Sequence, residues 1–259
     1  MTGRRGRTLA IVQARTTSSR LPGKVLKPLA GAPMILRQME RVSRASSFDE
    51  IVVATSLDPS DDELVALLED QGITCVRGPL DDVLGRFLTV IETRTCDVVV
   101  RLTADCPLIS ATVIDLVVER FHEGAADYVS NTMNPTFPDG LDVEVMSAEV
   151  LCEVGSEATN RHEREHVTLG IYRHPERFTI ENVSDPEDRD NSNLRWTVDT
   201  FEDFTFVAEI YSRLYPAQFE YDDVLELLAQ QPELSRTDAD APRNVALNGL
   251  ETGAMQRKE

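Results

Sequence analysis

At 259 residues, 41% hydrophobic and 27% charged, the chain is long enough for one sizeable α/β domain and has no collagenous, repetitive or broadly disordered composition. Its net charge of -19 argues against a general nucleic-acid binder, because neutralising a phosphate backbone takes a basic face. No run approaches the roughly 18 to 20 apolar residues of a membrane span, and the arginine-bearing N-terminus lacks the apolar core of a secretion signal, so a cytoplasmic protein is expected.

The charge is unevenly spread. Residues 1–47 hold ten Lys or Arg against one acid, Glu40, whereas the remainder holds 16 against 44. The first apolar run, over 9–14, predicts a buried strand, and the chain then turns polar through Thr16, Thr17, Ser18 and Ser19 before the breakers Pro22 and Gly23. Arg15, Arg20 and Lys24 therefore crowd a single loop at the carboxyl end of that strand, as a polyphosphate grip requires. Residues 1–7 read as a flexible N-terminus. Arg37, Arg41 and Arg44 fit the outer face of a helix over 33–45, with Pro33 in its first turn.

The rhythm then repeats. Strands are predicted over 50–56, 74–77 and 97–103, and helices over 61–71, 81–94 and 110–123, with Gly72 and Gly124 as stops. Such alternation implies a mostly parallel sheet with helices on both faces and ligands at the carboxyl ends of its strands. The second half is less regular: strands over 127–132, 141–147, 178–183 and 194–200, a helical stretch over 160–174, and two amphipathic helices over 202–214 and 222–230. One domain over 8–234 is expected, with an irregular subregion over 133–195 and a mobile tail over 235–259. Cys75, Cys96, Cys106 and Cys152 lie far apart without a C-x-x-C pair, so buried free thiols are expected rather than disulfides or a cysteine zinc site.

Two aspartates end apolar strands on the presumed ligand side. Asp105 follows V-V-V-R-L-T-A and Asp199 follows R-W-T-V. Each suits magnesium, which takes one or two carboxylates and completes its octahedron with phosphates and water; each equally suits the cap of a following helix. Beside the cationic loop the metal reading leads. Asp139, Asp142 and Glu144 in P-D-G-L-D-V-E form a further acidic group that fits acceptor hydroxyls, a second magnesium, or an exposed strand edge. His162-Glu163-Arg164-Glu165-His166 satisfies the H-E-x-x-H pattern of zinc hydrolases, but its charged surroundings and the lack of a third ligand at the spacing of His122 or His174 argue against zinc. Arg164 and His166 read better as contacts for an anionic acceptor, or as a solvated helix face.

The segments QARTTSSRLPGKVLKPL, EIVVATS, DDVLGRF, DVVVRLTADCPLI, PDGLDVEV, EREHVT and LRWTVDT, in this order, resemble the spore-coat polysaccharide biosynthesis protein F group, itself similar to the cytidylyltransferases that activate acylneuraminate and 3-deoxy-manno-octulosonate. The resemblance runs from about residue 8 to 215. It implies a GT-A-like, Rossmann-related fold and a nucleotidyltransferase, most simply one using CTP and Mg2+ on a sugar acid or related anion, in a homodimer. By the same resemblance Arg15, Arg20 and Lys24 bind the triphosphate and Asp105 and Asp199 hold the metal. Gln13, Ala14, Ser18 and Ser19, with Asp81, Asp82 and Arg86, fall on nucleotide-contacting segments. A nucleotide-binding module without turnover is the competing class.

Overall fold

The computed structural model describes residues 6–237; the expectations for the rest of the flexible N-terminus and of the tail lie outside the described residues. Nine strands form a seven-stranded sheet and a two-stranded ribbon among these residues. The sheet order is β5-β4-β1-β6-β8-β7-β9, from β1 (Thr8–Gln13), β4 (Glu50–Ser56), β5 (Cys75–Gly78), β6 (Val98–Thr103), β7 (Tyr128–Ser130), β8 (Glu144–Ser147) and β9 (Ile180–Asn182). All neighbours run parallel except β8, which is antiparallel to both β6 and β7.

Period-two alternation divides the core into two layers. Ala10 and Val12 of β1, Val53 of β4 and Val98, Val100 and Leu102 of β6 pack on one face, with α1 (Met34–Val42), α4 (Ala111–Glu123), α8 (Phe201–Leu214) and α9 (Tyr221–Gln230). Leu9, Ile11, Val52, Ala54 and Val99 pack on the other, with α3 (Val83–Thr93) and α5 (Ala148–Glu157). The second face carries the site. In that alternation Gln13 follows Leu9 and Ile11, and Arg101 and Thr103 follow Val99, so the apolar layer gives way to polar side chains at the carboxyl ends of β1 and β6. Ile11 is paired with Arg101 and Gln13 with Thr103.

Some local expectations change. The stretch over 194–200 reads as a strand from its composition, yet it makes only isolated bridges, Asp139 with Arg195 and Leu194 with Thr237. Its N–H groups go to loops: Trp196 N donates to the Asp139 carbonyl at 2.6 Å and Val198 N to the Asp105 carbonyl at 2.8 Å. The expected helix over 160–174 splits into α6 (Arg161–Glu165) and α7 (Leu169–Tyr172), because Val167 and Thr168 turn inward and the Thr168 hydroxyl donates to buried Glu144 at 2.6 Å. Helix α5 was not foreseen. Neither was the ribbon of β2 (Pro28–Leu29) and β3 (Ala32–Pro33), which makes Pro33 the residue before α1 rather than part of its first turn. Among the thiols Cys106 is buried, but Cys152 is exposed. Remaining helix α2 is Asp62–Asp70, and no helix among the described residues is long and apolar enough to cross a membrane.

Candidate active site

The cationic loop is built around a carboxylate. After β1 the Thr16 N–H and hydroxyl both donate to Asp61 Oδ1, at 2.7 and 2.8 Å, and the Thr16 carbonyl accepts from Ser18 N and Gly23 N at 3.0 and 2.9 Å. Gly23, at φ 68°, occupies the left-handed region that lets the chain double back and point Lys24 inward. Fully buried Asp61 also accepts from the Thr55 hydroxyl at 3.0 Å, the Ser56 N–H at 3.1 Å and the Ser56 hydroxyl. Burial alone would raise its pKa, but these donors hold it below the usual carboxylate value. In the sequence Asp61 reads only as the first acid of a helix.

Lys24 turns away from solvent into an acidic pair. Its Nζ lies 3.0 Å from Asp105 Oδ2, 3.1 Å from Asp199 Oδ1 and 2.7 Å from the Val198 carbonyl, and its side chain is only 10% exposed. Burial opposes its charge, but the two carboxylates raise its pKa. Burial likewise opposes ionisation of Asp105, yet the ammonium beside it brings its pKa down to about 2. Neither aspartate is a helix cap: α4 is preceded by Ser110, and α8 is capped by Thr200 and Asp203. Instead, the bond from Val198 N to Asp105 brings the end of the 194–199 segment against β6, so that both carboxylates face one cation.

Beside Lys24 and Asp105 opens a cleft of about 250 Å³, lined also by Gln13, Ala14, Arg15, Ser18 and Ser19 of the cationic loop and by Arg86, Arg101, Thr103, Glu165 and His166; Asp199 stands outside this lining. Arg86 is buried, donates to the Leu80 carbonyl at 3.3 Å and keeps its Nε without a partner among the described residues. Burial lowers the pKa of His166 and keeps its imidazole neutral near pH 7. Arg101 carries the part of the site that sequence reading missed: Nε donates to Gln13 Oε1 at 3.1 Å and Nη1 to Glu144. A charged residue inside a run of valines was the available signal.

Other candidate residues stand elsewhere. Arg20, 57% exposed, lies outside the cleft lining but reaches Asp199 Oδ2 at 3.0 Å. Asp81 is exposed, while Asp82 caps α3 through Gly85 N at 2.7 Å and pairs with Arg164, which also donates to the Gly155 carbonyl. Glu144 is buried in an interior strand, its oxygens taken by Arg101, the Tyr128 hydroxyl at 2.5 Å and Thr168. Asp139 faces Arg195 at 2.8 Å, and Asp142 is half-buried in the loop before β8. In the H-E-x-x-H segment Glu163 joins the N-terminal cap of α6, its N–H donating to Asn160, while His166 lies beyond the helix at φ -104°, ψ 85°. No group of three His, Cys, Asp or Glu that could hold a metal occurs among the described residues.

Comparison with known proteins decides the family. The sequence profile described as Cytidylyltransferase matches residues 9–237. The chain belongs to the cytidylyltransferase family. As a cytidylyltransferase it is a nucleotidyltransferase, which displaces both the zinc-hydrolase reading and that of a module without turnover. It is 34% identical over 210 residues to the spore coat polysaccharide biosynthesis protein SpsF of Bacillus subtilis, covering 79% of this chain and 86% of that one. A solved cytidylyltransferase from Leptospira borgpetersenii superposes with a TM-score of 0.82 at 30% identity, over 88% of this chain and 96% of that one. At 17% identity the CMP:2-keto-3-deoxy-manno-octonic acid synthetase solved with CTP shares the fold, with a TM-score of 0.63 over 80% of this chain and 99% of that one.

Proposed function

We propose that this cytidylyltransferase uses CTP and magnesium to place CMP on a sugar acid or related anionic metabolite, releasing pyrophosphate. The observation that carries this reading is the arrangement of Asp105 and Asp199 around one ammonium at the edge of a cation-lined cleft. Both contact the same Nζ, so they are spaced to share a single cation, and a hard two-carboxylate donor set fits magnesium, which draws its other ligands from phosphate and water. When bound, the metal neutralises charge on the phosphates and orients them.

The protein's own groups supply positioning and electrostatic stabilisation. Backbone of the loop held by Asp61 cradles the phosphates, with Ser18 and Ser19 at its rim. Arg15 and Arg20 bring planar forks to the phosphate oxygens, and Lys24 a point charge. Lys24 leaves the carboxylates for the leaving pyrophosphate as an acceptor oxygen attacks the α-phosphorus in line. The orphaned Arg86 Nε and the segment at Asp81 and Asp82 face the nucleoside. On the other wall, Arg101 and His166 meet the anionic end of the acceptor, with Asp142 at the mouth; the Glu144, Asp139 and Arg164 contacts hold this wall in shape. Support for CTP over other triphosphates comes from the family and from the CTP complex of the related synthetase.

The test is pyrophosphate release across the four nucleoside triphosphates with a panel of sugar acids, with magnesium and with chelator, and mass detection of the nucleotide-linked product. CTP- and magnesium-dependent release with a CMP-linked acid is the expected result. No pyrophosphate from CTP with any acid, or undiminished release in chelator, refutes the proposal.

A further inference from the structure

Arg195 is not among the cleft-lining residues, yet it is the most heavily engaged cation near them. Its side chain is 3% exposed and meets three carboxylates: Nη1 lies 2.8 Å from Asp139 Oδ2, Nη2 2.8 Å from Asp199 Oδ2, and Nε 3.3 Å from Asp203 Oδ1. Asp203 also receives the Asp199 and Thr200 N–H groups at 3.0 and 2.9 Å and pairs with Arg236 at 2.9 Å. The Asp199 backbone and carboxylate are therefore both tied to the start of α8.

The two oxygens of Asp199 are divided between different cations. Oδ1 faces Lys24, whereas Oδ2 faces Arg195 and Arg20. Arg20 is exposed and can leave for phosphate; Arg195 is buried among Asp139, Asp199 and Asp203 and cannot. One oxygen thus stays committed to a fixed guanidinium whatever enters the cleft. Small octahedral magnesium accepts a carboxylate through one oxygen, while calcium favours higher coordination that often uses both.

We propose that Arg195 is a positioning residue that makes Asp199 a one-oxygen ligand and thereby sets the preference of the site for magnesium over calcium. The inference rests on the proposed metal role of Asp199. A cation serving only to neutralise buried acids would stabilise the fold and leave metal preference alone.

The experiment uses the full chain with CTP and no acceptor. Water-proton relaxation enhancement reports protein-bound Mn(II)–CTP, and displacement by magnesium and by calcium gives a preference ratio for wild type, Arg195→Lys and Asp139→Asn. Lysine keeps a positive charge but loses the fork. Expected is a fall of about tenfold in the magnesium-to-calcium ratio for Arg195→Lys, and a smaller fall in the same direction for Asp139→Asn, which loosens the guanidinium from its far side. Lower thermal stability with both ratios unchanged overturns the proposal and leaves the metal site standing. Absence of protein-bound manganese in wild type with CTP overturns the metal reading and this inference together. If Arg195→Lys does not fold, the ratio of Asp139→Asn decides alone.

Discussion

Replacing Asp61 by alanine tests whether a buried carboxylate, rather than the loop's own sequence, shapes the cationic loop and its proposed hold on CTP. The variant removes the acceptor for two backbone N–H groups, of Thr16 and Ser56, and for three hydroxyls, of Thr16, Thr55 and Ser56. The hydroxyls can rotate to other acceptors, and Thr16 Oγ1 already has the Ser60 carbonyl at 2.8 Å. The N–H groups have no such freedom, and each orphaned donor costs about 1–3 kcal/mol. Relief of the buried charge offsets part of this, which leaves a net loss of about 3 kcal/mol. Urea unfolding measures the stability, and equilibrium dialysis of CTP measures the grip. We expect a lower urea midpoint together with weaker CTP binding, and an intermediate result for Asp61→Asn, which retains one acceptor oxygen. Stability within about 1 kcal/mol of wild type, with CTP affinity intact, would refute the assignment of Asp61 as the loop's anchor.

Lys24→Met leaves Asp105 and Asp199 facing each other; thermal melts should show a loss of about 3 kcal/mol that added magnesium partly restores, while a melt insensitive to magnesium argues against a shared cation site. Arg20→Ala, at an exposed position, should keep the wild-type melting temperature and lower turnover by about tenfold or more in the pyrophosphate assay. Glu144→Leu strands the Arg101 guanidinium in the sheet and should cost about 3–5 kcal/mol by urea unfolding. Acid stability follows from Asp61 and Asp105, whose folded pKa values lie below the unfolded ones, that of Asp105 at about 2. Both bind protons more readily in the unfolded chain, so their contribution is present above the unfolded carboxylate pKa of about 4 and is lost in acid, that of Asp105 as pH falls toward 2. Melting temperatures across that window should fall less steeply in Asp105→Asn.

Where one residue's neighbours along the chain determine its environment, the sequence was readable. The strand Glu50–Ser56 has a β-branched run bounded by turn residues, and the strands β1 and β6 have the apolar runs of a doubly covered sheet, broken in β6 only by Arg101. The segment 194–200 reads as a strand from Leu194, Trp196 and Val198 at alternate positions, but it spends its hydrogen bonds on Asp139 and Asp105, partners tens of residues away. Helix α5 was obscured because its ten residues include the poor helix formers Gly155 and Ser156 and its large apolar stripe is only Val150, Leu151 and Val154. The loop cations and Asp105 at the end of β6 were legible by charge and position, and so was Asp199, although its segment is not a strand. Their supports were not: Asp61, Arg101 and Arg195 acquire meaning only when distant segments meet, and a buried charge in a sequence looks like any other charge until its partners are known.

The reversed strand β8 has a consequence for how this scaffold can diversify. With Arg101 paired to Glu144, the beginning of β8 lies beside the carboxyl half of β6, so residues 131–143 pass along the ligand edge between the end of β7 and the start of β8. Gly140 fixes this passage: at φ 113° a Cβ there would stand 2.6 Å from Thr197 N. The cationic loop belongs to β1, on the far side of β6. One edge of the molecule thus carries two pieces of chain, and the one beyond β6 has room to change at its exposed residues, Met133 and Asn134, whereas Phe137, Asp139, Leu141 and Val143 are held by the core and by Arg195.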